Sequence, residues 1–357
     1  MRLLFVSTPV GPLGSGIGGG VELNLLNLAQ ALVKRGEEVT LIAPAGSGPA
    51  CAARGLVYIE VPGTPPPLAQ NQTRQEPIVL TDPSLLTNLW QKVRALESEY
   101  DLIVNWGYDW LPFYLTSFFS RPIAHIVSMG SLSDVVDRRL AYVLAHFPGT
   151  VAVHSQTQAQ TFPFAPDLVV LPCGMDLTQY EFNPKPQSRL AWIGRITPEK
   201  GLEDALAVAA KVHKPLDLMG YVQDEPYYQR CLVSYPQAEV TFHGFLPTHQ
   251  MQAILRESQA LLITPKWVEA FGNVAVEALA CGVPVLTYDR GGPQEITLDG
   301  KTGFVTPADD IEAMVEALGR INLIDRARCR SRAEQEFSLD AMTRRFSNWF
   351  KQILEAS

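Results

Sequence analysis

The feature that most constrains this chain is an alternation that runs its course and then starts again. Short runs rich in Val, Ile and Leu are separated by amphipathic stretches of helical period. Strands apolar on both faces belong in a parallel sheet covered by helices on both sides. Residues 2–8 read as a first strand and 21–35 as a helix, with Val21, Leu25, Leu28 and Leu32 on one face and Gly36 as its stop. Strands are then expected at 38–43, 57–61, 102–105, 123–128, 151–154 and 168–171, with helices at 83–99 and 134–145. The polar segment 180–188, with two prolines, reads as a linker. A new first strand follows at 190–196, then strands at 216–219, 239–242, 260–264 and 284–287. Helices are expected at 201–213, 247–257, 272–280, 309–319 and 339–354. The expectation is two doubly wound α/β domains, 1–180 and 189–337, facing a cleft. Ligands of such sheets bind outside the carboxyl ends of the strands.

Composition narrows the function. The chain has 357 residues, 46% hydrophobic and 18% charged, enough for two cores. It holds no run of about 18 apolar residues, so no membrane-spanning helix is expected. The opening MRLLFVSTPVGP reads as a strand, not a secretory leader. Residues 1–172 carry ten basic and thirteen acidic side chains, and the remainder nineteen and twenty-four. Neither half is basic, which argues against nucleic acid and against strong binding to an anionic membrane. Five cysteines without a CxxC pair read as reduced thiols of a cytoplasmic protein. The Pro-rich stretch 62–77 has no apolar period and is either a spacer or a substrate-contacting loop. Its Asn71-Gln72-Thr73 fits a glycosylation acceptor that a cytoplasmic protein would not use.

Three segments carry chemistry. The first is GPLGSGIGGGVE, residues 11–22, between the first strand and first helix. Its amides can point at an anion at a helix N-terminus, or its glycines can serve only a tight turn. The second strand ends in Ala43-Pro44-Ala45 with no carboxylate, which counts against a nicotinamide dinucleotide. The second segment is Gly194-Arg195-Ile196-Thr197-Pro198-Glu199-Lys200-Gly201. Two cations at the end of a strand can clamp a diphosphate, each contact contributing about 1.5–3 kcal/mol, or they are solvated surface charges. The third runs from Glu269 to Glu277 and includes Phe271, Gly272 and Asn273. A helix start there offers amides to a phosphate, a carboxylate inside the helix can hold a ribose diol, and one before it can grip sugar hydroxyls. Alternatively, Glu277 is a satisfied core carboxylate and Glu269 a helix-start charge.

Together these segments resemble the retaining glycosyltransferases of sequence family four, with their GT-B fold of two Rossmann-like domains. The resemblance rests on Gly19-Gly20-Val21-Glu22, on residues 194–201, on Glu269 and Glu277 with seven residues between them, on 278–296, and on 171–177, where Cys173 stands in place of the usual Asn. It implies a donor diphosphate bound by Arg195 and Lys200, by backbone amides at Phe271, Gly272 and Asn273, and by Gly19 and Gly20 from the other domain. It implies a ribose on Glu277, a sugar on Glu269, and uracil near Phe245 and Leu246. It also implies that His125 lies near the donor sugar, although a lone histidine in an apolar strand is more often structural, and that the last helix, 338–357, packs back on the first domain. The implied mechanism is same-face substitution with retention, the leaving phosphate taking the acceptor proton. No cofactor and no metal is required, consistent with the absence of an Asp-x-Asp motif.

Donor and acceptor are less directly encoded. UDP-glucose is the expected donor substrate, with GDP-mannose and UDP-N-acetylglucosamine as the alternatives that the resemblance leaves open. The aromatic segment with Trp106, Asp109 and Trp110 suits a flat polar heterocycle, or its tryptophans are core residues. The opening 7–32 also resembles the cyanobacterial UDP-glucose:tetrahydrobiopterin glucosyltransferases, which implies a pteridine acceptor. The alternatives are a carbohydrate, lipid or sugar-phosphate acceptor, a GT-B nucleotide-sugar epimerase, and a non-catalytic nucleotide-sugar sensor.

Overall fold

The computed structural model describes residues 1–67, 72–79 and 81–357. The chain divides into two compact units, one of residues 1–174 with 339–357 and the other of residues 175–338. Segment 180–188 therefore belongs to the second unit. Asn71 of the glycosylation pattern lies outside the described residues.

The first unit is built on seven strands: β1 (Arg2–Val6), β2 (Glu38–Pro44), β3 (Val57–Val61), β4 (Leu102–Asn105), β5 (Ile123–Ile126), β6 (Val151–Val153) and β7 (Val169–Val170). They lie in the order β3-β2-β1-β4-β5-β6-β7, and every pairing is parallel. The helix Gly20–Lys34 packs Leu25, Leu28 and Leu32 into the core, each burial contributing about 1.5–3 kcal/mol. Gly36, in the left-handed region at φ 86°, ends it. On one side of the sheet Leu4, Val6 and Ile103 meet Leu86, Leu89, Trp90 and Val93 of the helix Leu85–Leu96. The closing helix Leu339–Ala356 brings Phe350 against Phe5, and its Trp349 donates to the Gly149 carbonyl at 2.6 Å.

The second unit holds β8 (Leu190–Ile193), β9 (Leu216–Met219), β10 (Val240–Phe242), β11 (Ala260–Ile263), β12 (Val285–Tyr288) and β13 (Gly303–Thr306). Their order is β10-β9-β8-β11-β12-β13, again all parallel. β13 was not expected from sequence. It has only four residues, begins on a glycine at φ 157° and ends on a threonine, so its apolar signal is weak. The helices Trp110–Leu115, Glu225–Ser234 and Arg326–Glu336 were also unforeseen. The last has a strongly polar face and buries only Arg326, Cys329 and Ala333, leaving little apolar period to read.

In each sheet the order reverses beside the first strand, between β1 and β4 and between β8 and β11. These are the switch points at which doubly wound sheets bind ligands. All three motif segments and the aromatic segment 105–110 leave the carboxyl ends of those four strands. All five cysteines are buried and none is in a disulfide. Among the described residues no helix is long and apolar enough to cross a membrane.

Candidate active site

In the second unit three neighbouring strands each run out into glycine. Gly194, Gly220 and Gly244 follow β8, β9 and β10. A Cβ on Gly220 would stand 1.9 Å from the Gly194 carbonyl oxygen, and the Gly220 amide donates to Gly244 at 2.8 Å. The rim is therefore bare backbone, flanked by Phe245, which is exposed, and Leu246, which is half-buried.

Arg195 leaves the end of β8 and reaches Gln223 at 2.8 Å and Glu199 at 3.4 Å. Lys200 lies one short turn later and is ion-paired with Glu269. Its ammonium also sits 5.3 Å from the centre of the Trp267 ring, and the Trp267 indole donates to the same Glu269 oxygen at 3.1 Å. Burial alone would push the Glu269 carboxyl up, but Lys200, Trp267 and Arg195 outweigh it and hold it below the usual range. Glu269 is thus an anion at neutral pH, close to a cation that a phosphate could also engage.

The loop carrying Glu269 is held from behind. The Gly292 amide donates to the Glu269 carbonyl at 2.7 Å, and Arg290 donates to Pro265 at 2.7 Å. A Cβ on Gly291 would come within 2.5 Å of the Glu269 nitrogen, and one on Gly292 within 2.3 Å of the Phe271 oxygen. Gly272, at φ 96°, opens the helix Asn273–Ala280, and its carbonyl accepts from the Ala275 amide at 2.9 Å. Phe271 is buried with its ring 5.9 Å from Phe337, so its backbone, not its ring, is the part suited to a ligand. Glu277, in the second turn of that helix, accepts from the Tyr180 hydroxyl at 3.0 Å. Burial pushes its carboxyl up to about 7, against the smaller pull of that hydroxyl.

In the first unit the glycine loop differs from expectation. The amides of Gly14 and Gly16 donate to one Glu22 carboxylate oxygen at 2.9 and 3.2 Å, and that of Gly18 to the other at 2.5 Å. The Ser15 and Gly19 amides donate to the carbonyls of Pro12 and Gly16. The Leu13 and Ile17 amides donate to the hydroxyls of Ser47 and Ser15. The amides from Leu13 to Gly19 are thus spent inside the protein, and the expectation that they point at an external anion is corrected. Gly19 contributes a left-handed turn at φ 60°, after which Gly20 begins the helix.

His125 is also corrected. It lies inside β5 and is fully buried. The Thr116 hydroxyl donates its proton to the Pro112 carbonyl, so it accepts from His125 Nε2 at 3.0 Å. Nδ1 takes the Asn105 amide at 3.1 Å. Burial drives the pKa down to about 3, so the ring is neutral with both nitrogens engaged. Its role is to steady Asn105, which in turn bonds both the amide and the carbonyl of Gly107 at the exit of β4.

The aromatic segment splits. Trp106 is 1% exposed against Phe5 and offers no face for stacking. Trp110 is half-buried, stacked on Tyr114 at 4.6 Å with Arg139 beside it. Asp109 Oδ1 is buried without a hydrogen-bond partner, and burial lifts its carboxyl to about 6 although the amides of Leu111 and Trp110 pull the other way. In the described part of the Pro-rich loop, Arg74 bonds the Ser131 carbonyl and hydroxyl, both at 2.8 Å, and Asp134 at 3.0 Å. The loop is therefore tied to the segment that follows β5.

Comparison with known proteins bears on this arrangement. Residues 179–336 match the model of the family Glycosyl transferases group 1, and residues 18–179 match that of Glycosyltransferase Family 4. The chain is a GT-B glycosyltransferase. This glycosyltransferase is 25% identical to the D-inositol 3-phosphate glycosyltransferase of Nocardia farcinica, over 92% of its own length and 83% of the relative's. It is 28% identical to the alpha-1,3/1,6-mannosyltransferase alg-2 of Neurospora crassa, over 48% of its own length but only 41% of that relative's. Its fold matches that of Anabaena HepE in complex with UDP-glucose with a TM-score of 0.77 and 19% identity, covering 99% of this chain and all of the other. Sequence reasoning did not single out Trp267, Tyr180, Gly291 or Gly292 of the glycosyltransferase. Trp267 stands only two positions before Glu269 and could have been suspected. The others act through packing between segments distant in sequence.

Proposed function

We propose that this glycosyltransferase moves a glucosyl group from UDP-glucose to a small acceptor with retention of anomeric configuration. The observation that carries the reading is Lys200, set between Glu269 and the Trp267 ring beside a glycine-edged rim. Arg195 and Lys200 bind the diphosphate and stabilise the charge that develops on it as the glycosidic bond breaks. The first amides of the helix Asn273–Ala280 add to this, with Gly272 permitting close approach. Glu277 takes the ribose hydroxyls in exchange for the Tyr180 hydroxyl. Phe245 and Leu246 lie along the uracil, and Glu269 orients the sugar. The cations supply the charge that a metal would otherwise bring, so the transfer needs none, and the leaving phosphate accepts the acceptor's proton. HepE, of the same fold, is seen with UDP-glucose, which supports the choice of donor.

The acceptor is proposed to be a pteridine such as tetrahydrobiopterin, held at the exit of β4. Asp109, with a buried unpaired oxygen, suits its amino-imine edge, and Trp110 suits its ring. The protein should be incubated with UDP-glucose, UDP-N-acetylglucosamine or GDP-mannose against tetrahydrobiopterin and a panel of sugars, sugar phosphates and lipids. A new α-glucoside of the pterin from UDP-glucose is expected. Turnover only with other acceptors removes the pterin, a β-linked product removes retention, and UDP release without any acceptor favours an epimerase. Lys200→Ala should weaken UDP binding about ten- to hundredfold in calorimetric titration while the protein stays folded. Wild-type affinity in that variant would overturn the diphosphate assignment.

A further inference from the structure

Behind the loop of Glu269 lies a group of charges that the chemistry described so far does not use. Lys266, three positions before Glu269, donates through its ammonium to the carboxylates of Asp204 and Asp309, the latter at 3.0 Å. Asp204, buried in the first turn of the helix Leu202–Val212, also accepts from the Tyr288 hydroxyl at 2.5 Å. Arg290 reaches both oxygens of Asp309, at 3.2 and 2.5 Å, while donating to the Pro265 carbonyl at 2.7 Å. The Lys266 amide donates to the Glu199 carbonyl at 2.9 Å. Two cations and two carboxylates thus bind the segments that follow β8, β11, β12 and β13 to one another, all within the second unit.

Asp309 is the member that touches both cations, and its backbone is unusual. It stands at φ 64°, in the left-handed region, where a side chain is strained and glycine is not. The turn around it is fixed from both sides. The Ala308 amide donates to the Asp289 carboxylate at 2.7 Å, and the Asp310 amide to the Pro307 carbonyl at 3.2 Å. A strained residue persists where its surroundings demand it, and here Lys266 and Arg290 are what use the side chain. Hydrogen bonding from Arg290 outweighs burial and, with Lys266, holds the Asp309 carboxyl down at about 2, so both contacts are ionic at any ordinary pH. We propose that Asp309 is a positioning residue for the donor sugar: by gripping Lys266 and Arg290 it fixes segment 265–269 and so aims the Glu269 carboxylate. This rests on the reading of Glu269 as the group that orients that sugar. The groups assigned to the nucleotide, Arg195, Lys200 and Glu277, have other partners.

The test is calorimetric titration of UDP and of UDP-glucose into wild type, Asp309→Gly and Asp309→Asn, with thermal melts of each. Asp309→Gly relieves the backbone as it removes both contacts, so it should fold and melt within about 4 °C of wild type. Asp309→Asn keeps the shape and one accepting oxygen but not the charge. The expected result for Asp309→Gly is UDP affinity within about threefold of wild type and UDP-glucose affinity lower by about tenfold, with Asp309→Asn between. UDP-glucose affinity equal to wild type in both variants overturns the proposal. So does an equal weakening of UDP and UDP-glucose, with or without a lower melting point, because loss of a merely structural contact would act on both. A wild type that does not bind UDP-glucose fails the functional reading, and this inference with it. That failure shows in wild type alone and is distinct from variants that match a wild type competent for both ligands.

Discussion

Glu277 has two demands on it that conflict. To hold a ribose it should be a carboxylate, yet burial pushes its pKa up to about 7 from an ordinary value of 4.5. Between those two pH values the folded protein binds more protons than the unfolded chain, so stability falls as pH rises through the window and the penalty is complete above it. Glu277→Gln carries no such penalty. Thermal melts of the free protein should show this variant melting above wild type at pH 8, with the difference closing towards pH 4.5. Equal slopes in the two proteins would show that Glu277 is not the titrating group. UDP affinity should move the other way, falling about tenfold or more in the variant. Gain of stability with loss of binding is the mark of a site group that packing alone would not select.

The elements at the second unit's rim depend on close backbone approach. Gly201, at φ 64°, follows Lys200, and a Cβ there would stand 1.9 Å from the Thr264 carbonyl oxygen at the end of β11. The segments after β8 and β11 thus touch through main chain, and this contact helps set Lys200 beside Glu269. Gly201→Ala combines an unfavourable φ with a clash and should cost about 2 kcal/mol or more in urea unfolding. It should also weaken UDP binding, since Lys200 is the next residue. A stability change below about 0.5 kcal/mol would show that the two segments can separate freely. The position of Gly201 in the motif was legible from sequence, but its reason was not, because the oxygen it approaches belongs to a segment more than sixty residues away.

At the scale of the whole molecule, the chain ends by completing the unit in which it began. Phe346, Trp349 and Phe350 of the helix Leu339–Ala356 are buried, and Phe350 meets Phe5 of the central strand β1 edge-on at 6.4 Å. Phe350→Ala should therefore cost about 3–5 kcal/mol, read by denaturant unfolding followed at Trp349. A loss below about 1 kcal/mol would mean that the helix adds little to the first unit. The helix was foreseen from its apolar period, and its destination only from the resemblance. Periodicity shows that a face must be buried but does not say against what.

The two-fold strand–helix alternation and the turn chemistry at the strand ends were determined by the sequence alone, because period and glycine placement are local properties. They placed the segments of Arg195, Lys200, Glu269 and Glu277 at strand ends, while the strand order that makes those ends switch points came from the structure. Tertiary structure decided how the polar groups are paired. It gave the glycine amides to Glu22, both nitrogens of His125 to Asn105 and Thr116, the Trp106 ring to the core and the Tyr180 hydroxyl to Glu277. A buried polar group is satisfied by whatever donor or acceptor packing brings within reach, and residue spacing along the chain carries little information about that partner.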